Sequence, residues 1–481
     1  MSRINSNVAS LVAQRHLSVA QRSLSVSLER LSSGLKINRG ADDPAGLIVS
    51  ERLRSEIAAV GQAMDNSARA INVIATTEGA LSEVQALLTD INALLVEAAN
   101  QGAFSDEEVA ANQLQIDAAI DSITRIANTT AFAGRKLLNG EMDYVTSGVQ
   151  RIELADVSIL KATFGTQSFV PVTIAVSQSA EKAELSFALP RTTSAVNLDI
   201  QGRDGIVTLS FPASATTVDM VAAINTNVDS TGVIAVISGT GGSAGMRIQS
   251  LDYGSKAFVS VRELNNVSFP LTDSSGAPNT RDEGQDAVAT VNGVSATADG
   301  LKLSFSTSSL GIEVILAEAF GNGSQPLSST SFAVTQGGAL FQLGPQVNTN
   351  LQENIGVRAI QANKLGNLIV GFLADLKTGQ SKALSTGNFA AASKVVDLVI
   401  TQVSVLRGRL GAFERNTLRT NINQLQITAE NLISSESVLR DTDFAVETSE
   451  LTRSQILVQA GNSILAIANA QSQNVLTLLG G

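Results

Sequence analysis

Apolar residues recur at alternating three- and four-residue steps along both ends of this chain, and the middle lacks this pattern. Such spacing is typical of helices that bury one narrow stripe against a partner helix. Neither end can complete a helical bundle alone, so we expect the two ends to pair into a coiled-coil rod. The amino-terminal stripes comprise Leu24, Leu28, Leu31 and Leu35, then Ile57, Val60, Met64, Ala68 and Ile71, then Leu81, Val84, Leu88, Ile91 and Leu95. The carboxyl-terminal stripes comprise Val396, Val399, Val403, Leu406, Leu410 and Phe413, then Leu418, Ile422, Leu425, Ala429, Leu432 and Leu439, then Leu451, Val458, Leu465, Val475 and Leu479.

The middle of the chain carries strand signals instead. Short alternating runs such as "IVTLSF" and "LKLSF" are typical of strands, and the pairs Asn292-Gly293 and Asp299-Gly300 are suited to tight turns between them. A short helix, capped near Thr217, is predicted to lead through Gly232 into a further strand. We therefore predict an α+β multidomain fold in which the terminal helices pair and the middle is a β-rich insertion.

The stretch "LSSGLKINRGADDPAGL" interrupts the first helical pattern. Gly34 can end a helix in the left-handed conformation, Asp43 suits an N-cap, and Pro44 suits the first helical turn. We predict a joint between two helices at Gly34, Asp43 and Pro44. The "DTD" at residues 441–443 has the matching place near the other end and is predicted to be a second joint.

Composition excludes several classes of function. The 33 basic and 44 acidic residues give a net charge of -11, which argues against nucleic-acid binding. There is no cysteine and one histidine, His16, so thiolate chemistry is impossible and a histidine-based zinc site would lack its ligands. We expect no catalytic, cofactor-binding or metal-binding residues, and no enzyme activity.

Targeting signals are also missing from the sequence. The amino end, "MSRINSNVASLVAQRH", lacks the apolar core of a cleavable signal peptide, and the run "LIVGFLA" from Leu368 is far below a membrane span. We expect no membrane insertion, and any secretion must use another route.

Several motifs, in the same order, resemble bacterial flagellins. The segments "INSNVASLVAQRHL", "LERLSSGLKINRGADDPAGL", "IATTEGALSEV" and "TAFAGRKLLNG" are similar to the amino-terminal region of that family. The segments "ISSESVLRDTDFA" and "QILVQAGNSILAIANAQSQNVLTLLG" are similar to its carboxyl terminus. Residues of about 193–264 resemble the flagellin hook insertion motif.

The resemblance implies a structural subunit that polymerises helically into the extracellular filament of the bacterial flagellum and serves swimming motility. Residues 1–43 with 443–481 would form an inner tube, residues 44–145 with 350–442 an outer tube, and residues 146–349 a surface-exposed β-rich insertion of one or two lobes. The polymerisation seam would contain the terminal-arm residues Leu24, Leu28, Leu31, Leu35, Leu451, Val458, Leu465, Val475 and Leu479. Implied partners are copies of the chain itself, a flagellar export chaperone that holds about Leu451 to Leu479, and the hook-associated junction and cap proteins.

Energetics favours assembly-coupled folding of the terminal arms. Ordering about thirty residues costs on the order of 45 kcal/mol, at about 1.5 kcal/mol each, and about eight seam side chains return roughly 12 to 24 kcal/mol. We therefore expect the arms to fold when neighbouring copies cover them.

One segment departs from the family. Flagellins that are detected by the innate immune flagellin receptor carry an arginine-rich stretch after "TTEGAL", and this chain has "TDINALLVE" there, with Asp90 and Asn92. Replacing a cation with an anion repels what the cation attracted. We predict weak or absent receptor activation.

Three alternatives stay open on the sequence alone. The junction protein between hook and filament shares both helical ends. An enzyme could be embedded in the central insertion, although His16 is the sole histidine. The cationic first helix, which holds six basic residues against the single acid Glu29 within residues 1–41, could instead lie on an anionic membrane.

Overall fold

The computed structural model describes residues 7–100, 102, 105–165, 167–239, 245–265, 268–322 and 329–479, with side chains as far as residue 471. Within these ranges the long helices lie at both ends, and the strands lie between them with three short α-helices, as the sequence predicts for an α+β fold. The helices are α1 (Val8–Ser33), α2 (Pro44–Ala98), α3 (Asp106–Thr129), α4 (Thr217–Asn225), α5 (Val228–Thr231), α6 (Glu318–Gly321), α7 (Phe389–Phe413), α8 (Thr420–Arg440) and α9 (Phe444–Leu479). A π-helix, Glu414–Arg419, joins α7 to α8.

The strands occupy the region between α3 and α7, and every pair of adjacent strands is antiparallel. They are β1 (Ala131–Phe132), β2 (Arg135–Lys136), β3 (Tyr144–Ser147), β4 (Leu154–Ala162), β5 (Val170–Gln178), β6 (Glu184–Phe187), β7 (Val196–Gln201), β8 (Ile206–Phe211), β9 (Val233–Ser238), β10 (Gly245–Ser250), β11 (Phe258–Glu263) and β12 (Leu271–Asp273). They continue as β13 (Arg281–Glu283), β14 (Val288–Val291), β15 (Val294–Ser295), β16 (Thr297–Asp299), β17 (Lys302–Ser306), β18 (Leu310–Leu316), β19 (Ser329–Gly337), β20 (Ala339–Gln342), β21 (Gln352–Ile355), β22 (Gly366–Asn367) and β23 (Gly371–Phe372).

The chain divides into two compact units. The first contains Met1–Ala68, Leu343–Val347 and Leu418–Gly481, and its described part holds α1, α8, α9 and the beginning of α2. The second contains Arg69–Gln342 and Asn348–Thr417, with the rest of α2, the other helices and all of the strands. Both units are therefore assembled from segments that are distant in sequence.

Two β-rich lobes lie within the second unit, each with its own core. In one lobe the sheets β15-β14-β5-β19-β3 and β16-β17-β18-β4 share a core that includes Ile174, Val314 and Phe332. In the other, the sheets β12-β6-β10-β9 and β13-β11-β7-β8 pack with α4 around Phe187 and Met220. Each lobe is a sandwich because both of its sheets turn apolar residues inward.

Local sequence signals account for the element boundaries. The turn between β14 and β15 has positive φ at Asn292 (50°) and Gly293 (82°), as a two-residue hairpin requires. Ser105 and Glu108 form a capping box at the start of α3. The predicted cap near Thr217 lies one residue earlier, because the hydroxyl of Thr216 accepts the Asp219 amide and makes Thr217 the first helical residue.

The buried stripe of α2 differs from the predicted one in the first half of the helix. Ala68 is exposed, Met64 and Ile71 are half-buried, and the buried positions are Val60, Ala63, Ser67, Ala70, Ile74 and Thr77. These positions continue, at steps of three and four residues, into Leu81 and the later leucines. The prediction was right at Val60 and wrong at Ala68, because a purely apolar pattern passes over buried polar positions such as Ser67 and Thr77.

One helical segment, Phe389–Arg440, is long and apolar enough by length and composition to cross a membrane, with a mean hydropathy of 1.6 in its most apolar window. Scanning for unbroken apolar runs missed it. Its apolar residues include Val395, Val399 and Val403, which are buried in the second unit. Of the most apolar window, 33% is buried inside the protein.

Candidate functional site

The two ends of the chain pair as α1 and α9, both in the first compact unit. The residues of α1 that face α9 are Ser10, Ala13, Leu17, Ala20, Leu24, Ser27 and Leu31, and those of α9 are Glu447, Leu451, Ser454, Val458, Gly461, Leu465 and Ala468. We call this the terminal seam. Both rows alternate steps of three and four residues, which keeps one stripe of each helix on its partner.

Small residues form the most buried part of the terminal seam. Ser10, Ala13, Ala20 and Ser27 are the buried residues of α1. A Cβ atom added at Gly461 would lie 3.2 Å from Leu17 Cδ1 and 3.7 Å from Leu17 Cα, so α1 approaches α9 closely at this point. Alanine, serine and glycine permit this approach because they hold little volume between the helices.

Polar contacts hold the two ends of the seam. Near its open end, Asn7 Nδ2 donates to Ala468 O at 2.9 Å and Ser10 Oγ donates to Asn469 Oδ1 at 2.9 Å. Near the joint, Arg30 pairs with the buried carboxylate of Glu447 at 3.5 Å. These contacts fix the register of α1 on α9, because a shift along the seam would leave Glu447 without its cation.

The predicted joint is a pair of loops that bind each other. Gly34 ends α1 at φ 73°, and its carbonyl accepts from Thr442 N at 2.9 Å. Leu35 and Asp441 form an antiparallel bridge, and Lys36 N donates to Arg440 O at 2.7 Å. The two joints, which the sequence predicts separately, therefore bind each other through backbone hydrogen bonds.

Aspartates start the helices that leave the joint. Asp43 Oδ1 accepts from Gly46 N at 2.9 Å where α2 begins at Pro44. Asp443 Oδ1 accepts from Ala445 N and Val446 N at 2.9 and 3.2 Å where α9 begins. Both carboxylates cap amides that the first helical turn leaves unpaired.

Asp42 stabilises the loop itself. Its Oδ2 accepts from Arg39 N and Asn38 N at 2.8 and 3.0 Å. The hydrogen bond from Arg39, followed by that from Asn38, lowers the pKa of the Asp42 carboxyl below its usual value. The acidic pair at this joint therefore caps backbone amides.

The predicted seam residues fall into three groups. Leu24, Leu31, Leu35, Leu451, Val458 and Leu465 are half-buried in the single chain. Leu28 is 51% exposed and lies outside the terminal seam. Val475 and Leu479 belong to α9, but their side chains lie outside the described ones.

A second apolar row on α1 faces solvent. Val12, Val19 and Val26 recur every seven residues and are 41%, 50% and 38% exposed. With Leu457 and Ile464 of α9, Val12 and Val19 line a groove of about 790 Å³. Ala9, Ala13, Ala20, Ala460 and Gly461 also line it, with His16 among the polar residues. We call Val12, Val19, Leu457 and Ile464 together the groove face. Sequence inspection missed the row on α1, although its heptad spacing is a visible signal.

The remaining predicted positions lie on α2. Asp90 is exposed and Asn92 is half-buried. Among the described residues, no three histidine, aspartate or glutamate side chains come together as metal ligands.

Paired terminal helices that fix their own register, and still present large apolar side chains to solvent, define a structural subunit that associates with copies of itself. The family models described as the bacterial flagellin N-terminal and C-terminal helical regions match residues 4–143 and 393–479. The chain is 30% identical to flagellin of Salmonella rubislaw over a gapped alignment of 505 positions, which covers 99% of each chain. It is also 30% identical to B-type flagellin of Pseudomonas aeruginosa, again over 99% of each chain.

The chain belongs to the bacterial flagellin family. It is a structural subunit, and not an enzyme, that polymerises into the extracellular flagellar filament. The alternative of a hook-filament junction protein is not favoured.

Proposed function

We propose that the groove face and the terminal seam together form the polymerisation surface of this subunit. The observation that carries the proposal is the exposed apolar row of Val12, Val19, Leu457 and Ile464 beside the paired helices. Exposed apolar side chains in a continuous groove gain free energy when a further helix covers them. The copy that joins the filament supplies that helix.

The small seam explains why the arms would fold on assembly. No large apolar side chain is fully buried among the described residues of α1. The pairing of α1 with α9 therefore removes little apolar surface from water, and the gain is small against the cost of ordering both helices. Burial of the groove face by neighbours supplies the missing part, so folding and joining the filament are coupled.

Charge on the groove face tests the proposal. We expect Val12→Asp and Ile464→Asp, as full-length chains, to abolish growth on filament seeds. Val294→Asp is the matched control, since Val294 is similarly exposed, at 55%, on β15 of the insertion. Normal elongation by both groove variants would refute the proposed surface, and so would growth of a chain lacking residues 1–43 and 443–481.

The layer assignment rests on the joint. Residues 1–43 with 443–481 would form the inner tube, because the paired loops at Gly34 and Asp441 separate these arms from α2 and α8. Residues 44–145 with 350–442 would form the outer tube, and residues 146–349 the exposed insertion. Solvent-accessibility labelling of filaments should mark the insertion strongly and the arms weakly; equal labelling would contradict the assignment.

Other flagellar proteins would use the same α9 surface. An export chaperone that holds about Leu451 to Leu479 would cover the exposed Ile456, Ile464 and Ile467 before assembly. Junction and cap proteins would meet the groove face at the two ends of the filament. Hydrogen exchange of the chaperone complex should protect α9, and protection confined to the β-rich lobes would contradict this binding mode.

Immune recognition would be weak because the receptor segment is acidic. Asp90 is exposed on α2, where the stimulatory flagellins that the sequence resembles carry arginine. We expect a low reporter-cell response to the wild-type chain and a higher response to Asp90→Arg with Asn92→Arg. A wild-type response equal to that of a strongly stimulatory flagellin would contradict the prediction.

A further inference from the structure

The helical run from Phe389 to Arg440 contains one turn of a different kind. The π-helix Glu414–Arg419 interrupts the α-helical hydrogen bonding between α7 and α8. A π turn holds one more residue than an α turn. Such turns occur mostly as single insertions within α-helices, and frequently at functional sites. The polymerisation surface described above does not use this turn.

The extra residue shifts the buried stripe by one position. On α7 the buried stripe contains Ala392, Val396, Val399, Val403, Leu406 and Leu410, at alternating steps of four and three residues. Continued as an α-helix, the same stripe would pass through Thr417 and Gln424. The buried residues are instead Leu418 and Leu425, each one position later.

An uninterrupted α-helix would therefore turn polar residues inward. Leu425 packs with Val60 and Ala63 of α2. A helix without the π turn would replace Leu418 and Leu425 with Thr417 and Gln424, and an unpaired buried amide is costly. By contrast, the stripe of α2 runs from Val60 to Ala98 without a skipped residue.

Two features make this turn a weak point of the helix. Downstream, α8 buries Leu425 as its one fully buried residue among those described. Upstream, Gly408 and Gly411 would meet nothing within 4 Å if they carried a Cβ atom. Wide turns and glycines are where helices bend, because their hydrogen bonds are less regular and side chains brace them less.

We propose that the π-helix Glu414–Arg419 is a bending point that stores one spare residue, so that α8 can adjust its packing on α2 as copies are added to the filament. The inference rests on the filament role of the chain. The proposed change is conformational and breaks no covalent bond. A second copy of the chain is the partner whose contacts select the bent or the straight helix.

Deleting Thr417 removes the spare residue and leaves both buried stripes in phase. The matched control is Thr417→Ala, which keeps the chain length and hence the π turn. The second variant deletes Asn416 instead of Thr417, because this also removes one residue and brings the same two buried stripes into phase. The readouts are amide hydrogen exchange of residues 412–420 and the distribution of curvature among seeded filaments in electron micrographs.

We expect both deletions to fold, to elongate seeds, and to slow exchange of these amides about tenfold or more, as for an uninterrupted helix. Filaments of the deletion variants should show a narrower range of curvature than filaments of Thr417→Ala. Unfolding of both deletion variants, unchanged exchange, or an unchanged range of curvature would each overturn the proposal. Failure of the wild-type chain to elongate seeds would instead refute the proposed function.

Discussion

The spacing of the terminal seam can be tested at Gly461. A leucine placed there must share its site with Leu17, because even its Cβ atom would lie 3.2 Å from Leu17 Cδ1 and 3.5 Å from Leu17 Cβ. We expect Gly461→Leu to push α1 away from α9.

The size of the effect follows from three contributions. Leucine is a better helix former than glycine by about 1 kcal/mol, which favours the variant. Overpacking costs about 1 to 3 kcal/mol. Separation of the helices would also break the hydrogen bonds from Asn7 and Ser10, at about 1 kcal/mol each. The net loss is about 2 to 4 kcal/mol, which corresponds to about a thirtyfold to ninehundredfold rise in the critical concentration for growth.

The assay is the critical concentration for elongation of filament seeds by the full-length chain. The matched control is Gly79→Leu on α2, where an added Cβ atom meets nothing within 4 Å and the same change in helix propensity applies. We expect Gly79→Leu to elongate seeds like the wild type. Wild-type growth of Gly461→Leu would refute close packing at the seam.

Three further outcomes are expected. The chain holds two tyrosines and no tryptophan, and burial raises the pKa of both Tyr144 and Tyr253 to about 12. The near-ultraviolet absorbance of tyrosine should therefore titrate near pH 12, and the free energy of unfolding should fall as pH rises from 10 toward 12. A titration midpoint near pH 10 would contradict this. The buried Gln113 side chain donates to the backbone carbonyl of Leu376 and accepts from the backbone amide of Leu384. Gln113→Leu should therefore lower the free energy of unfolding in urea by about 1 to 3 kcal/mol. An unchanged free energy would show that these hydrogen bonds add no stability. The pKa of Asp42 is lowered from 3.8, so the ionised carboxylate stabilises the fold above that pH, and this stabilisation is lost as pH falls through the lower pKa of the folded state. Asp42→Asn should therefore have a lower melting temperature than the wild type at pH 7. A difference in melting temperature that persists in strong acid would contradict the argument.

The sequence predicts the helical ends and the joint because both depend on local chemistry. Gly34, Asp43 and Pro44 fix a helix end and a helix start by backbone preference alone. That the loop at Gly34 binds the loop at Asp441 could not be predicted from local signals, since the pairing joins residues about four hundred positions apart.

The buried stripes were predicted less well. Selecting large apolar residues found Leu24 and Leu451 but missed Ala13 and Ala20 of α1, because hydropathy does not register how closely two helices approach. The break between Phe413 and Leu418 was visible as a change of stripe, although the π-helix that accommodates it was not predicted.

The β-rich lobes show a third limit. Turn residues such as Asn292 mark individual hairpins, but the strand order β13-β11-β7-β8 depends on which distant edges meet. Many short runs carry the same alternating pattern, so the sequence predicts where strands lie but not which strands pair.

The pairing of α1 with α9 has a consequence for the order in which a subunit is completed. Asn7 donates to Ala468, so α1 can complete its pairing only after α9 has been synthesised. A truncated chain that stops before α9 has no helix to pair with α1. Such a fragment would also lack Leu457 and Ile464, so we expect it to be excluded from the growing fibre.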